Sequence, residues 1–565
     1  ANKRVSALTE LTSATLNDGY YSFSSGLPYQ IKLKNSLKKL GVFNVNLYGA
    51  IGDGSTDDTA NIQATIDAAL AAGGGIVFFP GKEYKLTSVS FGTAGGSGTA
   101  DVDGICIRAG HQATATCPIA FIGSQTRLTN PNYSQGGRQD ILGLWPKLKN
   151  VLITGLEFYN SHPYIGAGGV GASNVGAISF YSDGTTNNID GLTIDNNKFT
   201  NVAKAIDLRQ GIFVGSTNNT IKNIHITNNT FVYENGSDSG AAGILLTGDV
   251  AVNIGATCSH VVVSHNIFDG ASNNTVVGTT SKVEMDGFIT SLYSNDVIIS
   301  DNVIKHFAVE GIFIWERDTT FESPRSVVVK GNVLDGLPVS GSTSNGGSAG
   351  IDSDGYGILI DGNVLKDCAI AISTAATAVA EPNPKSSRYT SIRNNQISMP
   401  TGGFLAYGIA SSANKTIIEN NTIYWHTGGH SGQHNGIRVD LYEAIIKNNT
   451  FIARHRANEK YNGIVLKSTA TSGIILDNYF ENLNYAITTD GPSIAYYARD
   501  NKFRNCVLDY NSQTGSNSTP GDLAFIKNHE IKFTPTGAAD WWRIGSFYNG
   551  GNAQYKISTN NTYGT

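Results

Sequence analysis

One short pattern recurs along most of this chain and restricts what it can fold into. Its clearest copy runs from Ile224 to Phe231, with alternating aliphatic residues, a polar pair that ends in Asn, one free position and then a large apolar residue. The asparagines of successive copies lie about 23 to 37 residues apart, a period typical of a solenoid. They are Asn197, Asn229, Asn266, Asn302, Asn332, Asn363, Asn395, Asn421, Asn449, Asn478 and Asn501.

The alternation predicts short strands with one buried face. An Asn at the strand end tolerates the left-handed backbone of a sharp corner, and the next large apolar residue turns inward. About half a coil later a second strand opens on Gly or Ala followed by Ile, as in Gly311-Ile312 and Gly436-Ile437. Because one such coil cannot enclose a core, coils must stack. The sequence predicts an all-β, right-handed parallel β-helix, since the sandwich or propeller alternatives need hairpin turns that the repeat lacks.

Composition narrows the possible partners. Lys and Arg number 40 against 45 Asp and Glu, a net charge of −5, and only 15% of residues are charged, which argues against nucleic-acid binding. No apolar run reaches the length of a membrane span, so membrane insertion is not expected. The five cysteines show no metal-binding or disulfide spacing.

The segment from Val45 to Val89 has a different character from the repeats. A strand leads into a Gly-rich turn, Asp57 or Asp58 with Thr59 supplies a helix N-cap, and Ile62–Ala72 has helical spacing of its apolar residues. Together with Asp53, these aspartates also suggest a loose metal site, but turn and cap chemistry explains them more simply. We expect no metal and no cofactor.

This N-terminal segment resembles the signature of the pectate-lyase-like β-helix superfamily, in which a helix caps the open end of the solenoid. Within the superfamily, the Asn-rich coils followed by a separate β-rich end are similar to bacteriophage tailspikes. That resemblance implies a homotrimer that binds, and usually depolymerises, bacterial surface polysaccharide. It also implies a virion tail location, with attachment to the rest of the tail through a further N-terminal part.

Four regions are predicted along the chain. Residues 1–44 form a connector, 45–150 the capping helix and first coils, 151–510 the β-helix with its polysaccharide groove, and 511–565 a β-rich C-terminal part. The aromatic residues of this last part fit subunit packing or sugar stacking; they are Trp541, Trp542, Phe547 and Tyr548.

The candidate catalytic residues come from aligning the second strand of each coil. Counting from each Gly/Ala-Ile pair, the third and fifth residues should point outward. The alignment predicts that Glu316, Asp352 and Asp354 share one patch, at separations compatible with the two carboxylates of a glycosidase. The alternatives are an Asx turn for the two aspartates and a surface salt bridge for Glu316.

Further side chains are predicted to bind substrate. Trp315 offers an apolar face to a sugar ring, while Arg317 and Asp318 supply polar contacts beside it. Arg438 and Asp440 form a second polar group on the same face. His426 opens a His-rich run that fits a loop along the groove better than a metal site.

The sequence therefore predicts a tailspike that hydrolyses capsular or exopolysaccharide of Gram-negative bacteria. Glu316 and one of Asp352 or Asp354 would form the acid and base pair. Three alternatives are kept: a polysaccharide lyase that uses β-elimination, a deacetylase, and an adhesin that binds glycan without cutting it.

Overall fold

The computed structural model describes the chain in segments. They are residues 34–35, 37–86, 103–107, 118–129, 139–144, 148–159, 175–180, 188–202, 204–209, 220–233, 242–247, 257–270, 289–292, 294–307, 310–315, 325–336, 349–355, 357–374, 389–400, 405–413, 415–426, 433–440, 443–454, 460–467, 472–490, 495–506, 508–513 and 524–525. The chain divides into two compact units, unit 1 (Ala1–Leu337) and unit 2 (Pro338–Thr565). Most of the predicted C-terminal part, with its four aromatic residues, lies outside the described residues.

Each unit is built from two parallel sheets, here called sheet 1 and sheet 2. In unit 1 the strands of sheet 1 are β1 (Val42–Asn44), β2 (Asp53–Asp57), β3 (Gly75–Phe79), β4 (Glu83–Lys85), β6 (Ile119–Thr129), β8 (Leu148–Tyr159), β10 (Asn188–Asp195), β11 (Lys198–Thr200), β13 (Thr220–Thr227), β14 (Thr230–Val232), β16 (Thr257–Ser264), β17 (Ile267–Asp269), β19 (Ser294–Ser300), β20 (Val303–Phe307), β22 (Arg325–Lys330) and β23 (Val333–Gly336). Those of sheet 2 are β5 (Asp103–Ile107), β7 (Gln139–Leu144), β9 (Val175–Phe180), β12 (Lys204–Arg209), β15 (Ala242–Thr247), β18 (Ile289–Leu292) and β21 (Glu310–Trp315).

Unit 2 repeats this arrangement. Its sheet 1 contains β25 (Leu359–Asp361), β26 (Val364–Lys366), β28 (Ser391–Arg393), β29 (Gln396–Met399), β31 (Thr416–Glu419), β32 (Thr422–Trp425), β34 (Ala444–Lys447), β35 (Thr450–Ala453), β37 (Ser472–Leu476), β38 (Tyr479–Glu481), β40 (Ala495–Arg499), β41 (Lys502–Arg504) and β43 (Ala524–Phe525). Its sheet 2 contains β24 (Ala349–Ser353), β27 (Ile370–Thr374), β30 (Ala406–Ser411), β33 (Gln433–Val439), β36 (Lys460–Lys467), β39 (Tyr485–Asp490) and β42 (Leu508–Gln513).

The predicted parallel β-helix is confirmed by how these strands pair. Each repeat lies in register on the next, so that Ile224 of β13 pairs with Leu192 of β10 and with Val261 of β16. The large apolar residue after each corner turns inward as predicted. In unit 1 the rings of Phe158, Phe199, Phe231 and Phe268 stack in a file with centroids 5.1, 4.8 and 4.3 Å apart.

The role predicted for the repeated Asn was wrong in one respect. The left-handed residue is the first member of the polar pair, as at Asn196 (φ 53°) and Asn228 (φ 56°), not the repeated Asn that follows. That Asn is buried instead. The Oδ1 atom of Asn229 accepts hydrogen bonds from the backbone N–H of Asn197 (2.9 Å) and from its side-chain Nδ2 (3.1 Å). The same two bonds join Asn229 to Asn266, and such asparagine ladders run along the corner of each unit.

The predicted N-terminal helix is present as α1 (Thr59–Ala71), three residues longer at its start than the apolar spacing indicated. It buries Ile62, Ile66, Ala69 and Leu70 and packs against β1, β3 and β5. A 3-10 helix (Val45–Tyr48) lies beside it. The helix thus covers the first strands of the solenoid, as expected of a capping helix.

The aspartates before this helix are engaged in turns. Oδ1 of Asp57 accepts hydrogen bonds from the backbone and the hydroxyl of Thr59, while the Asp58 carboxylate accepts the N–H groups of Ile51 and Gly52. Asp53 accepts the N–H groups of two residues that follow it, and these bonds hold the pKa of its carboxyl below the usual value. Hydrogen bonds to nearby backbone groups therefore account for all three carboxylates, although Asp58, at the N-cap position, makes no capping bond with its side chain.

Candidate polysaccharide-binding face of sheet 2

Small residues set the geometry of sheet 2 in unit 2. At Gly436, an added Cβ would lie 2.7 Å from a ring carbon of the buried Phe451 and 2.7 Å from the carbonyl oxygen of Gly463. The strand openers therefore face the interior, where only Gly or Ala fits against the large residues of sheet 1. The residue after each opener is a fully buried Ile, and the next one points outward, as the sequence alignment predicted.

The outward residues form a file across the rungs. Asp352 of β24 pairs with Ser373 of β27, Ser373 with Ala410 of β30, and Ala410 with Arg438 of β33. Rungs are roughly 4.8 Å apart, so Asp352 and Arg438 lie roughly 14 Å apart along the file. Between them the sheet carries only the two short side chains of Ser373 and Ala410.

Asp352 is a carboxyl of this file that is partly removed from solvent. Its side chain is half-buried, and its Oδ1 atom is enclosed without a hydrogen-bond partner among the described residues. Burial raises the pKa of the Asp352 carboxyl, while hydrogen bonds from the Ser373 hydroxyl and the Ser353 N–H oppose the shift. Burial disfavours the charged form of the carboxyl, and it is the largest of these effects. A proton is therefore retained to higher pH than on an ordinary aspartate.

Asp354 lies just past the end of β24 (Ala349–Ser353), two residues after Asp352. It is more enclosed than predicted, with only 3% of its surface exposed. Of the two carboxyl groups, the Asp352 group is therefore half-buried and the Asp354 group is buried.

Arg438 and Asp440 form an ion pair on the same face. Nε of Arg438 donates to Oδ1 of Asp440 at 2.6 Å, and Nη1 donates to the hydroxyl of Tyr407. The guanidinium carbon also lies 5.0 Å from the centre of the Tyr407 ring, in cation–π contact. Burial lowers the pKa of Arg438, but the Asp440 carboxylate and the Tyr407 hydroxyl outweigh it and raise the pKa overall. This pair is a fixed charged feature of the face.

The remaining predicted site residues are His426, Trp315, Glu316, Arg317 and Asp318. His426 is exposed at the end of β32 in sheet 1, where Nε2 lies 2.7 Å from the Ser398 hydroxyl. Trp315 ends β21 of unit 1. Glu316, Arg317 and Asp318 lie outside the described residues, so their roles stay predictions. In the described part of the chain, no three His, Cys, Asp or Glu side chains converge as a metal site would require.

Three polar residues of this face were missed by the sequence alignment. Tyr407, Asn435 and Asn462 pair with one another on successive strands β30, β33 and β36. Nδ2 of Asn462 donates to Oδ1 of Asn435 at 2.8 Å. All three directly precede the Gly of a strand opener, a position that the count of third and fifth residues did not include.

Two segments of the chain match known protein families. Residues 42–91 match the family described as Rhamnogalacturonase A/epimerase, pectate lyase-like, and residues 294–442 match the family described as Disaggregatase related. Mannuronan C5-epimerase AlgE3 of Azotobacter vinelandii is 50% identical over 58 residues, 10% of this chain and 3% of that protein. Alginate lyase 7 of the same organism is 58% identical over 45 residues, 8% of this chain and 5% of its own. The chain thus spans only a small fraction of these relatives.

The solved structures that match this chain have low sequence identity to it. The A-module of Azotobacter vinelandii mannuronan C-5 epimerase AlgE6 is 16% identical, covers 85% of this chain and 100% of its own, and has a TM-score of 0.40. The tailspike protein of E. coli bacteriophage HK620, in complex with a pentasaccharide, is 10% identical with a TM-score of 0.44 and covers 88% of this chain and 84% of its own. The fold assignment rests on the strand pairing described above. That pairing shows a parallel β-helix, and within it residues 42–91 are similar to the pectate-lyase-like family.

Proposed function

We propose that this protein is a polysaccharide depolymerase that cleaves a bacterial capsular or exopolysaccharide by glycosidic hydrolysis. The observation that supports this most is Asp352, a carboxyl whose burial favours the protonated form, on the outward face of a β-helix sheet. Glycosidases need one carboxyl that keeps a proton and a second that is ionised. The names of the matched relatives, mannuronan epimerases and an alginate lyase, agree with a polysaccharide substrate.

In this proposal Asp352 donates its proton to the glycosidic oxygen. Asp354, two residues later and just past the end of β24, is proposed as the ionised base. An inverting glycosidase needs its two carboxyl groups about 6.5 to 9.5 Å apart, which leaves room for a water between base and sugar. Glu316 is the alternative base, with Trp315, Arg317 and Asp318 as its predicted neighbours on the substrate.

The proposal extends to the setting of the protein. We infer a homotrimeric tailspike on a virion tail that acts at the bacterial surface. In the described residues no helix is both long and apolar enough to cross a bilayer. Sedimentation equilibrium of the purified chain tests the trimer, and a monomer at micromolar concentration contradicts it.

A second candidate reaction follows from the relatives themselves. Since they are named as epimerases and a lyase, abstraction of a proton beside a uronate carboxylate is the alternative to hydrolysis. A lyase shortens the polymer and leaves an unsaturated uronate, which absorbs in the ultraviolet. An epimerase changes the sugar composition without shortening the chain, and an adhesin does neither.

The decisive experiment digests purified capsular polysaccharide from a sensitive strain and measures product mass, reducing ends and ultraviolet absorbance. Hydrolysis predicts new reducing ends without new absorbance. Asp352→Asn should lower the rate about 10²- to 10⁴-fold, as expected for the loss of a general acid. Glu316→Gln is measured beside it, to decide whether Glu316 or Asp354 acts as the base.

Asp361→Asn is the matched control, since Asp361 lies on sheet 1 in an ion pair with Arg393. It should retain the activity of the unmodified protein. Full depolymerase activity in both Asp352→Asn and Glu316→Gln would show that the catalytic assignment is wrong.

A further inference from the structure

A group of polar side chains lies on sheet 2 of unit 2, on strands β30, β33 and β36, two to four rungs from Asp352. It comprises Tyr407, Asn435, Arg438, Asp440 and Asn462, here called the arginine cluster. Arg438 joins Tyr407 to Asp440, and Asn435 accepts a hydrogen bond from Asn462. Register pairing places Asn435 between Tyr407 and Asn462, so the two halves of the cluster are adjacent.

The cluster contains a buried acceptor atom that receives no hydrogen bond from the described residues. Oδ1 of Asn462 is buried without a hydrogen-bond partner among the described residues, and only 6% of the Asn462 surface is exposed. A buried acceptor without a partner is costly, and an arriving O–H or N–H group removes that cost. The bond to Asn435 does not satisfy this oxygen, because it is made by Nδ2 of Asn462 as the donor. The position therefore favours a ligand that donates a hydrogen bond.

The charge of the cluster indicates what kind of ligand this is. Arg438 and Asp440 neutralise each other at 2.6 Å, and about a quarter of each side chain is exposed. A carboxylate approaching Arg438 would also meet the Asp440 carboxylate, which repels it. A hydroxyl group can donate to Asp440 and accept from Arg438 at the same time. The pair thus matches an uncharged sugar better than a uronate.

We propose that the arginine cluster is a subsite for a neutral sugar residue of the polysaccharide, bound through hydroxyl or N-acetyl groups. This inference rests on the proposed function, because it places the subsite and Asp352 on one face. The short side chains of Ser373 and Ala410 leave the intervening surface low, so the polymer runs across the rungs from one to the other. Binding at roughly 14 Å from Asp352 supplies energy remote from the bond that is cut.

The test measures binding to immobilised surface polysaccharides from a panel of Gram-negative strains, each before and after chemical reduction of its carboxyl groups. Asp352→Asn is the parent, so that cleavage does not interfere. Arg438→Met and Asn462→Leu are added singly, and Lys447→Met is the control because it removes a cation paired with Glu419 on sheet 1. Thermal unfolding of each variant confirms that it is folded.

We expect Arg438→Met and Asn462→Leu each to weaken binding about tenfold, equally for the native and the reduced polymer, as the loss of one or two hydrogen bonds predicts. Lys447→Met should bind like the parent. Unchanged binding by both variants overturns the subsite. So does an effect of Arg438→Met that vanishes on carboxyl reduction, since Arg438 would then recognise a uronate.

The two proposals fail in different ways. If the polymer is bound through the cluster but is not shortened by the protein with Asp352 intact, the depolymerase proposal fails and the subsite stands. A panel in which no polysaccharide is bound overturns both.

Discussion

The repeated asparagine is the residue on which the stacking of coils depends most directly. Asn266 accepts two hydrogen bonds from Asn229 and donates to the carbonyl oxygen of Ile226 and to Oδ1 of Asn302. Every one of these groups is buried. Because a buried polar group without a partner is costly, the ladder ties each coil to the next and tolerates few other residues.

Asn266→Ala should lower the free energy of unfolding by roughly 3 kcal/mol, since it leaves the buried N–H of Asn229 and the carbonyl oxygen of Ile226 without their side-chain partner and removes one of the acceptors of Asn229 Nδ2. Urea-induced unfolding of the full chain measures the change. The matched control is Asn228→Gly, which keeps a residue suited to the left-handed conformation at an exposed corner and should cost less than about 1 kcal/mol. Equal losses for the two variants would contradict the ladder.

Asp352 gives a stability prediction separate from catalysis. Because its pKa is raised in the folded state, it contributes stability that is fully present below the unfolded value of about 3.9 and is lost as pH rises through the folded pKa. Asp352→Asn cannot ionise, so its free energy of unfolding should fall less than that of the unmodified protein as pH rises from about 4 to neutral. Urea unfolding at a series of pH values measures this.

The same series with Asp361→Asn serves as the control, because that ion-paired carboxyl lies on the outer face of sheet 1. Identical pH dependence of Asp352→Asn and the unmodified protein would show that Asp352 is not held in its protonated form.

At the scale of single elements, the strand openers of sheet 2 are matched to the large residues of sheet 1. Gly436 lies against Phe451 and Gly463 against the ring of Phe480, whereas the opener of β27 is Ala371. At Gly436 and Gly463 the rings of sheet 1 therefore leave no room for a Cβ.

Gly436→Ala should destabilise the protein by roughly 1 to 3 kcal/mol, since the new methyl group overlaps both Phe451 and the Gly463 carbonyl. It should also lower activity, because Arg438 lies two residues later. Thermal unfolding and the depolymerase assay measure the two effects. Ala371→Gly, in an opener that already accepts a Cβ, should cost about 1 kcal/mol. A Gly436→Ala variant as stable as the unmodified protein would refute the packing.

For the whole molecule, the interior contributes most of the stability and the outer face contributes little. Outward charges on sheet 1 alternate in sign from rung to rung, as Glu83, Arg127, Glu157 and Lys198 in unit 1 and as Asp361, Arg393, Glu419 and Lys447 in unit 2. Exposed pairs of this kind contribute at most about 1 kcal/mol each. Files of buried aromatic and aliphatic side chains inside each unit supply the larger hydrophobic term.

The sequence by itself determined the class of fold, because a strand period of two and a coil period near 30 have few solutions other than stacked parallel rungs. It also predicted that Asp352, Asp354, Arg438 and Asp440 lie on one outward face, since side chains alternate along a strand. It did not predict the structural role of the repeated Asn. The pattern cannot distinguish an Asn that adopts the left-handed conformation at a corner from one whose side chain forms hydrogen bonds between coils.

Only the tertiary structure decided which polar groups are buried and which are paired. Asp354 is enclosed, Asp352 has an unpartnered oxygen, and Tyr407 reaches Arg438 from another strand. These properties depend on neighbours about 20 to 40 residues away in sequence, in coils whose lengths vary. Solvent exposure and charge pairing are set by such contacts, and a strand pattern carries no information about them.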